Sequence, residues 1–383
     1  MKNVRLAIFA THPIQYQVPW FIGLSRQPGI VLKVYYHFIP DAQQQGAGFN
    51  VSFQWDIPML EGYNWQVVSD AQKSTKTLLE EIKPDVAILT GWHSSFLWDA
   101  LWACRQLRIP TMIRGESNNL KKRSSWNHLA HRLLFSHYHA FLAIGCSNRE
   151  LYLKNGVDPQ KIFLSPYFVD NERLRVQFQA ALLQRDQWRS YWKIPQDAYC
   201  FIYAGKIEPK KRIIDLLSAL EIAARRNKKT HLLVVGNGQW MEKSKRFSQD
   251  CGLSVSFSGF LNQSEITRGY AAGDCLVLPS DYGETWGLVV NEAMVCGRPV
   301  IVSDRVGCGP DLIEEGITGS LFPFGNVKIL AEKLVEFASN NGRLQRMGQT
   351  AQKKIEGYCV DEAVKGTLEG IKAVLKKGVG YSS

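Results

Sequence analysis

Glu284 and Glu292 stand eight residues apart in PSDYGETWGLVVNEAMVCGRPVIVSD (279–304). Glu284 falls in a loop after an apolar strand, and Glu292 lies in the helix that begins near Leu288. Two carboxylates along one ligand-binding edge suit the hydroxyls of a sugar, because each accepts two or more O–H donors. The helix start after Gly287 adds free backbone N–H groups and a positive dipole end, which attract a phosphate. Glycine at 287 lets a ligand approach the backbone closely. The same spacing also fits a helix-start charge followed by a solvated helix residue, and spacing alone does not separate the two.

A second constellation is YAGKIEPKKRIIDLL (203–217), where a strand ends at Gly205 and Lys206, Lys210, Lys211 and Arg212 precede a helix. Cations at a helix start oppose its dipole, which favours a functional reading over a solvated surface. Point charges held beside a glycine turn would stabilise a departing diphosphate. HLLVVGNGQW (231–240) is a third glycine-rich turn, at Gly236, and also fits an ordinary tight turn. In the first half, THPIQYQVPW (11–20) places His12 after a strand, LTGWHSSF (89–96) does so with His93, and RGESNN (114–119) with Arg114 and Glu116. His12 also fits as a turn residue that caps the next helix. Three polar loops converging on one sheet edge weigh more than any one of them.

Such loops need parallel strands to carry them. VRLAIFA (4–10), VLKVYY (31–36), DVAILT (85–90), TMIRG (111–115), HAFLAIG (139–145) and KIFLSPY (161–167) alternate with helical stretches. A polar segment, RVQFQAALLQRDQWRSYWKIPQD (175–197), breaks the rhythm. It then restarts with YCFIYAG (199–205), HLLVVG (231–236), VSFSG (255–259), CLVLPS (275–280) and PVIVS (299–303). Strand–helix alternation predicts α/β architecture with parallel sheets covered on both faces. The division expected is a first domain over 1–170, a linker over 171–197, a second domain over 198–360, and a final helical segment over 361–383.

Composition narrows the classes. At 383 residues two domains are expected, and 45% apolar with 21% charged residues excludes wholesale disorder. No apolar run approaches the roughly 18 residues of a membrane-spanning helix. The first apolar stretch is interrupted by Arg5 and ended by His12-Pro13, so it reads as a buried strand rather than a signal peptide, and a cytoplasmic location is expected. Eight scattered cysteines without a C-x-x-C pair exclude a disulfide framework or a zinc site. The net charge of +11 is locally concentrated: seven basic residues lie between Arg105 and Arg132 against Glu116 alone. There, 119–143 combines Lys121, Lys122, Arg123 and Arg132 with Trp126, Leu129, Leu133, Leu134 and Phe135. A basic, aromatic amphipathic helix of this kind fits the surface of an anionic membrane, and fits equally a core-packing helix with a solvated basic face. The histidines at 128, 131, 137 and 139 have no Asp, Glu or Cys close in sequence, so no metal site is expected. The charge is local and no nucleic-acid module is present, which argues against that class of partner.

AGKIEPKKR, VVGNGQW, SGFLNQSEI, YAAGDCLVLPS and ETWGLVVNEAMVCGRPVIVSD occur in the order and spacing of the retaining glycosyltransferases of family 4. Residues 203–323 carry this resemblance, and the family's Glu-x(7)-Glu pair falls on Glu284 and Glu292. The resemblance implies the GT-B fold, two Rossmann-like parallel-sheet domains facing across a cleft. It implies that Lys206 and Lys211, beside Gly205 and Gly236, hold the donor diphosphate. Glu284 would contact hydroxyls of the transferred sugar, and Glu292 the ribose. The amides around Thr285, Trp286, Gly287 and Leu288 would meet phosphates or sugar, and Phe260-Leu261 would face the nucleobase. The final helix would cross back to the first domain.

Many relatives carry a histidine in the loop where this chain has Arg114-Gly115-Glu116, so His93, His12 or Glu116 would take over part of its role. The HPIQYQ loop resembles that of bacterial surface-polysaccharide transferases. The resemblance thus implies a retaining transferase without a cofactor, using a UDP- or GDP-linked sugar as co-substrate, and since no acidic metal-binding pair is evident in the sequence, catalysis is expected to be metal-independent. Its acceptor would be a glycan or a lipid-linked molecule, met at the inner face of the cytoplasmic membrane. A sugar-nucleotide epimerase or phosphorylase on the same fold, or an inactive nucleotide-sugar-binding relative, are the alternatives.

Overall fold

The computed structural model describes residues 3–68, 74–226, 229–339 and 341–378; the last five residues of the expected final segment, 379–383, lie outside the described residues. The chain divides into two compact units, the first comprising 1–40, 58–168 and 359–383, the second 41–57 and 169–358.

The first unit is built on a parallel seven-stranded sheet. In chain order its strands are β1 (Val4–Ala10), β2 (Ile30–Tyr36), β3 (Trp65–Val67), β4 (Val86–Leu89), β5 (Thr111–Ile113), β6 (Ala140–Ala143) and β7 (Ile162–Leu164). They lie in the order β3-β2-β1-β4-β5-β6-β7. Ile8 stands opposite Val34 on one side and Ile88 on the other. Helices cover both faces, which is why β4 and β6 are apolar and buried at every position rather than alternating. The helix Val360–Gly378 belongs to this unit. Its Ala363, Val364, Ile371 and Val374 enter the same core as Trp20, Met112 and Leu142. Trp20 Nε1 donates to Thr367 Oγ1 at 3.1 Å, and Ser165 Oγ donates to the Ala363 carbonyl at 3.0 Å.

The second unit has a parallel six-stranded sheet of β8 (Tyr199–Ala204), β9 (Thr230–Val235), β10 (Val255–Gly259), β11 (Cys275–Leu278), β12 (Val300–Ser303) and β13 (Gly319–Phe322). The order is β10-β9-β8-β11-β12-β13. In both sheets the chain winds outward from a central pair, β1/β4 in the first and β8/β11 in the second. Loops leaving the carboxyl ends of such a pair diverge and open a crevice, the standard ligand position of open α/β sheets.

Two expected boundaries are corrected by the structure. Residues 171–197 are not a linker but two helices, Asn171–Leu182 and Arg185–Tyr191, packed in the second unit. Their polar surface hides a buried set, Leu174, Phe178 and Ala181, joined by Arg189, which is 2% exposed. Residues 41–57, counted with the first domain in the sequence, join the second unit through aromatic contacts with Phe260. The basic segment 119–143 is helical only over Ser125–Phe135, capped by Ser124. All eight cysteines are free, five of them buried. No helix among the described residues is long and apolar enough to cross a membrane.

Candidate functional site

In the second unit the loops after β8 and β11 flank the central strand pair, and their side chains meet. Lys211 Nζ donates to the Glu284 carboxylate, with the two side chains only 14% and 16% exposed. Lys206 stands five residues before Lys211, and burial, then the neighbouring charges of Lys210 and Lys211, lowers its pKa against the opposing pull of Glu208. The two other cations of this run turn elsewhere. Lys210 pairs with Glu208 at 3.2 Å, while Arg212, in left-handed backbone at φ +55°, forks onto Asp215 at 2.9 and 3.0 Å. Asp215 lies in the first turn of the next helix, where its charge suits the dipole that Arg212 alone would oppose.

Gly205 and Gly236 end the adjacent strands β8 and β9 and touch through their backbones. A Cβ on Gly236 (φ +134°) would stand 1.9 Å from the Gly205 carbonyl oxygen, so no other residue fits there. Gly287 (φ +99°) opens the helix Leu288–Val295, and a Cβ there would crowd Leu278 and Val306 at 2.9 Å. The loop before it is fixed by backbone bonds from Gly307 N to the Glu284 carbonyl and from Cys308 N to the Trp286 carbonyl. Trp286 is buried and donates from Nε1 to Asn291 Oδ1 at 2.8 Å. Thr285 and Leu288 are half-buried beside it. Glu292, one turn into the helix, is 2% exposed and accepts from the Tyr270 hydroxyl at 2.8 Å. Phe260 and Leu261 follow β10, and the Phe260 ring carries the aromatic side chains of 41–57.

In the first unit, His12 follows β1 and His93 follows β4, again the central pair. Burial first, then the charge of His93, lowers the His12 pKa, so its ring is neutral at physiological pH. Its Nδ1 lies 3.0 Å from Thr11 Oγ1 and its ring stacks on Phe38. Glu116, after β5, accepts from the Tyr167 hydroxyl at 2.5 Å. Arg114 goes into the core, 3% exposed, among Trp20, Tyr167 and Phe168, donating to the carbonyls of Ser165 and Pro166. The predicted loop residues thus follow the carboxyl ends of their strands, while Glu292 lies within the helix Leu288–Val295 and the Arg114 side chain turns into the core.

Sequence reasoning did not single out Tyr270, Asn291 or Tyr167, the partners of Glu292, Trp286 and Glu116; aromatic and amide residues in apolar stretches give no signal of whom they bond. Among the described residues no three or more His, Cys, Asp or Glu cluster where they could hold a metal ion.

Residues 184–354 match the family model of glycosyl transferases group 1. The chain is 31% identical to a D-inositol 3-phosphate glycosyltransferase of Streptomyces bingchenggensis over 57% of this chain and 49% of that protein. It is 32% identical to the sulfoquinovosyl transferase SQD2 of Arabidopsis thaliana over 41% of this chain and 30% of that one. The chain thus spans about half or less of these curated relatives. Among solved structures, HepE of Anabaena in complex with UDP and glucose superposes with a TM-score of 0.74 at 14% identity, covering 97% of this chain and 100% of that one. A glycosyltransferase from Rickettsia africae gives 0.76 at 13% identity, over 98% and 100%. The chain therefore has the GT-B fold, two Rossmann-like parallel-sheet units, and over residues 184–354 it is related to the group 1 glycosyl transferases.

Proposed function

We propose that this chain is a retaining glycosyltransferase that moves a sugar from a UDP- or GDP-linked donor to a glycan or lipid-linked acceptor. The observation that carries the reading is the Lys211–Glu284 pair beside the glycine-opened helix Leu288–Val295, at the central strand pair of the unit that matches the family. Anion and hydroxyl recognition meet there: a lysine and a free helix N-terminus for phosphate, a carboxylate for sugar. The donor binds with its diphosphate toward Lys206 and Lys211 and its sugar toward Glu284. As the bond from the anomeric carbon to the diphosphate breaks, those positive groups take up the developing charge without reorganising. The acceptor hydroxyl attacks the face the diphosphate leaves and passes its proton to an oxygen of the departing diphosphate as the new bond forms, so configuration is retained. His12, His93 and Glu116 serve the acceptor, and the neutral His12 ring can accept a hydrogen bond from a hydroxyl. No step draws on a metal ion.

Thermal unfolding with UDP, GDP, ADP and CDP, each with EDTA, tests the donor side. A nucleotide at about 100 times its dissociation constant should add roughly 2.7 kcal/mol of stability. A selective shift with UDP or GDP is expected; none with any nucleotide would remove the donor site. Product analysis then separates the activities. A transferase consumes donor only with acceptor present, an epimerase consumes it alone, and an inactive relative binds it unchanged.

The acceptor side is proposed to work at an anionic membrane of the cytoplasmic face. On the helix Ser125–Phe135, Trp126, Leu129 and Leu133 are 79%, 46% and 62% exposed, while Leu134 and Phe135 go into the core. Positions 126, 129 and 133 share one helix face, and exposed Lys121, Lys122 and Arg132 flank it. Insertion of that apolar face beneath a basic rim is how amphipathic helices hold anionic surfaces. Exchanging Trp126 and Leu133 for serine is expected to weaken binding to phosphatidylglycerol vesicles about ten- to a hundredfold by the loss of inserted apolar area. Flotation with neutral and anionic vesicles measures it; equal flotation of both proteins would leave the helix a solvated surface.

A further inference from the structure

The segment 41–57 occupies the groups assigned above to the donor. Lys206 Nζ donates to the Ala47 carbonyl at 2.8 Å and lies 5.2 Å from the centre of the Phe49 ring. Phe53 stacks on Phe260 with centroids 4.0 Å apart and planes 25° from parallel; Phe49 meets the same ring edge-on at 5.0 Å. A base held between two rings needs two carbon contact distances, about 7 Å, so a nucleobase cannot stack on that face of Phe260 while Phe53 does. The rest of the segment is pinned just beyond. Asn262 Nδ2 donates to the Gln54 carbonyl at 2.7 Å, and Ser264 donates from its amide to Asp56 at 3.1 Å and from its hydroxyl to the same carboxylate.

One aromatic face and one cation are thus satisfied by the chain itself, through a ring where a base would stack and a carbonyl oxygen where a diphosphate oxygen would sit. Both flanking residues, Pro40 and Pro58, belong to the first unit, so the segment is an excursion held at each end by proline. Its contacts with 206 and 260–264 are made by Ala47, Phe49 and residues 53–56, more than 150 positions away in sequence, which follow a short capped turn at Ala42–Gln45 and form neither strand nor helix.

We propose that residues 41–57 are an intramolecular competitor for the nucleotide: Phe53 and the Ala47 carbonyl hold the base platform and Lys206, and nucleotide binds by displacing them. This rests on the donor-site reading given above. Displacement means that the measured affinity is the intrinsic one reduced by the fraction of molecules with the segment released. Weakening the segment therefore tightens nucleotide binding, whereas weakening a wall of the pocket loosens it, and the two readings move the dissociation constant in opposite directions.

The experiment is calorimetric titration of UDP and GDP into the full chain, Phe53→Ala and Asp56→Ala. Phe53→Ala removes the stacked competitor; Asp56→Ala releases the anchor at Ser264 without touching an aromatic ring. Loss of one aromatic stacking pair corresponds to about a three- to tenfold fall in dissociation constant, and the same direction is expected for Asp56→Ala. Trp55, whose ring centre lies 6.2 Å from that of Phe260, reports release directly. Its emission should change on adding nucleotide, and that part of the signal should vanish in Trp55→Phe. Circular dichroism of each variant checks that the fold is kept. Binding that both variants leave equal or weaker overturns the proposal alone. Absence of UDP and GDP binding in the wild-type chain and both variants overturns the donor-site reading, and this proposal with it.

Discussion

Lys211→Ala is expected to slow sugar transfer by about 10²–10³-fold, the usual cost of removing one preorganised group that stabilises transition-state charge. The site explains why so much rests on one ammonium. Lys210 and Arg212 are paired with Glu208 and Asp215, so in the proposed function Lys206 and Lys211 are the cations of that loop that would meet the donor diphosphate. Lys211 is also sheltered, 14% exposed, where water screens its charge poorly. Removing it leaves the Glu284 carboxylate without this partner, at about 1–3 kcal/mol in stability. Thermal midpoints must therefore be recorded beside kcat and KM, and the comparison made below both midpoints. Glu284→Ala alone should also impair transfer, and the double variant should be scarcely worse than Lys211→Ala, because contacting residues act as a unit. Full activity in either single variant would sink the mechanism.

Arg189→Ala should destabilise the second unit by about 3–5 kcal/mol, because three carbonyls lose their buried donor at about 1–3 kcal/mol each. The guanidinium donates to the carbonyls of Ala272, Pro195 and Ala198 at 3.0, 2.6 and 2.6 Å, and its Nη1 lies 3.6 Å from Asp274. Asp274 in turn accepts from the amide of Cys200 at the start of β8. One side chain thus ties the helix Arg185–Tyr191 to the ends of two elements of the sheet unit. Arg189→Lys should fall between, since it keeps the charge and loses the planar fork. Urea titration followed by far-ultraviolet circular dichroism measures the difference. A change under about 1 kcal/mol, ordinary for a surface substitution, would show that 185–198 is not integral to the unit.

Most of the sheet scaffold was legible because its strands are unbroken apolar runs closed by glycine or polar loops. The expected strand 199–205 is observed as Tyr199–Ala204, and 275–280 as Cys275–Leu278. The meeting of Lys211 with Glu284 was legible in kind, as two loops on one sheet edge, since strand–helix alternation fixes the edge at which loops emerge. Three things were not. Arg189 read as part of a polar stretch and Arg114 as a polar loop residue at the ligand-binding edge, because composition shows a cation and not the carbonyls or rings that enclose it. The helices over 171–191 carry too few apolar positions to stand out from a polar stretch. Residues 41–57 have neither strand nor helix periodicity, and Phe53 meets a ring 207 positions later, a pairing no local pattern encodes.

The return of Val360–Gly378 to the first unit sets the order in which the protein can be completed during its synthesis. The ribosome releases residues 1–168 early, yet Trp20, Met112 and Leu142 lack their covering helix until the last part of this sequence emerges. At about 5–20 residues per second, the roughly 190 intervening residues take about 10–40 s to make. The second unit can close in that interval; the first waits with an apolar face open. The strands of the first unit are therefore made before those of the second but covered only after them, and the nascent polypeptide carries an open apolar face while the second unit is translated.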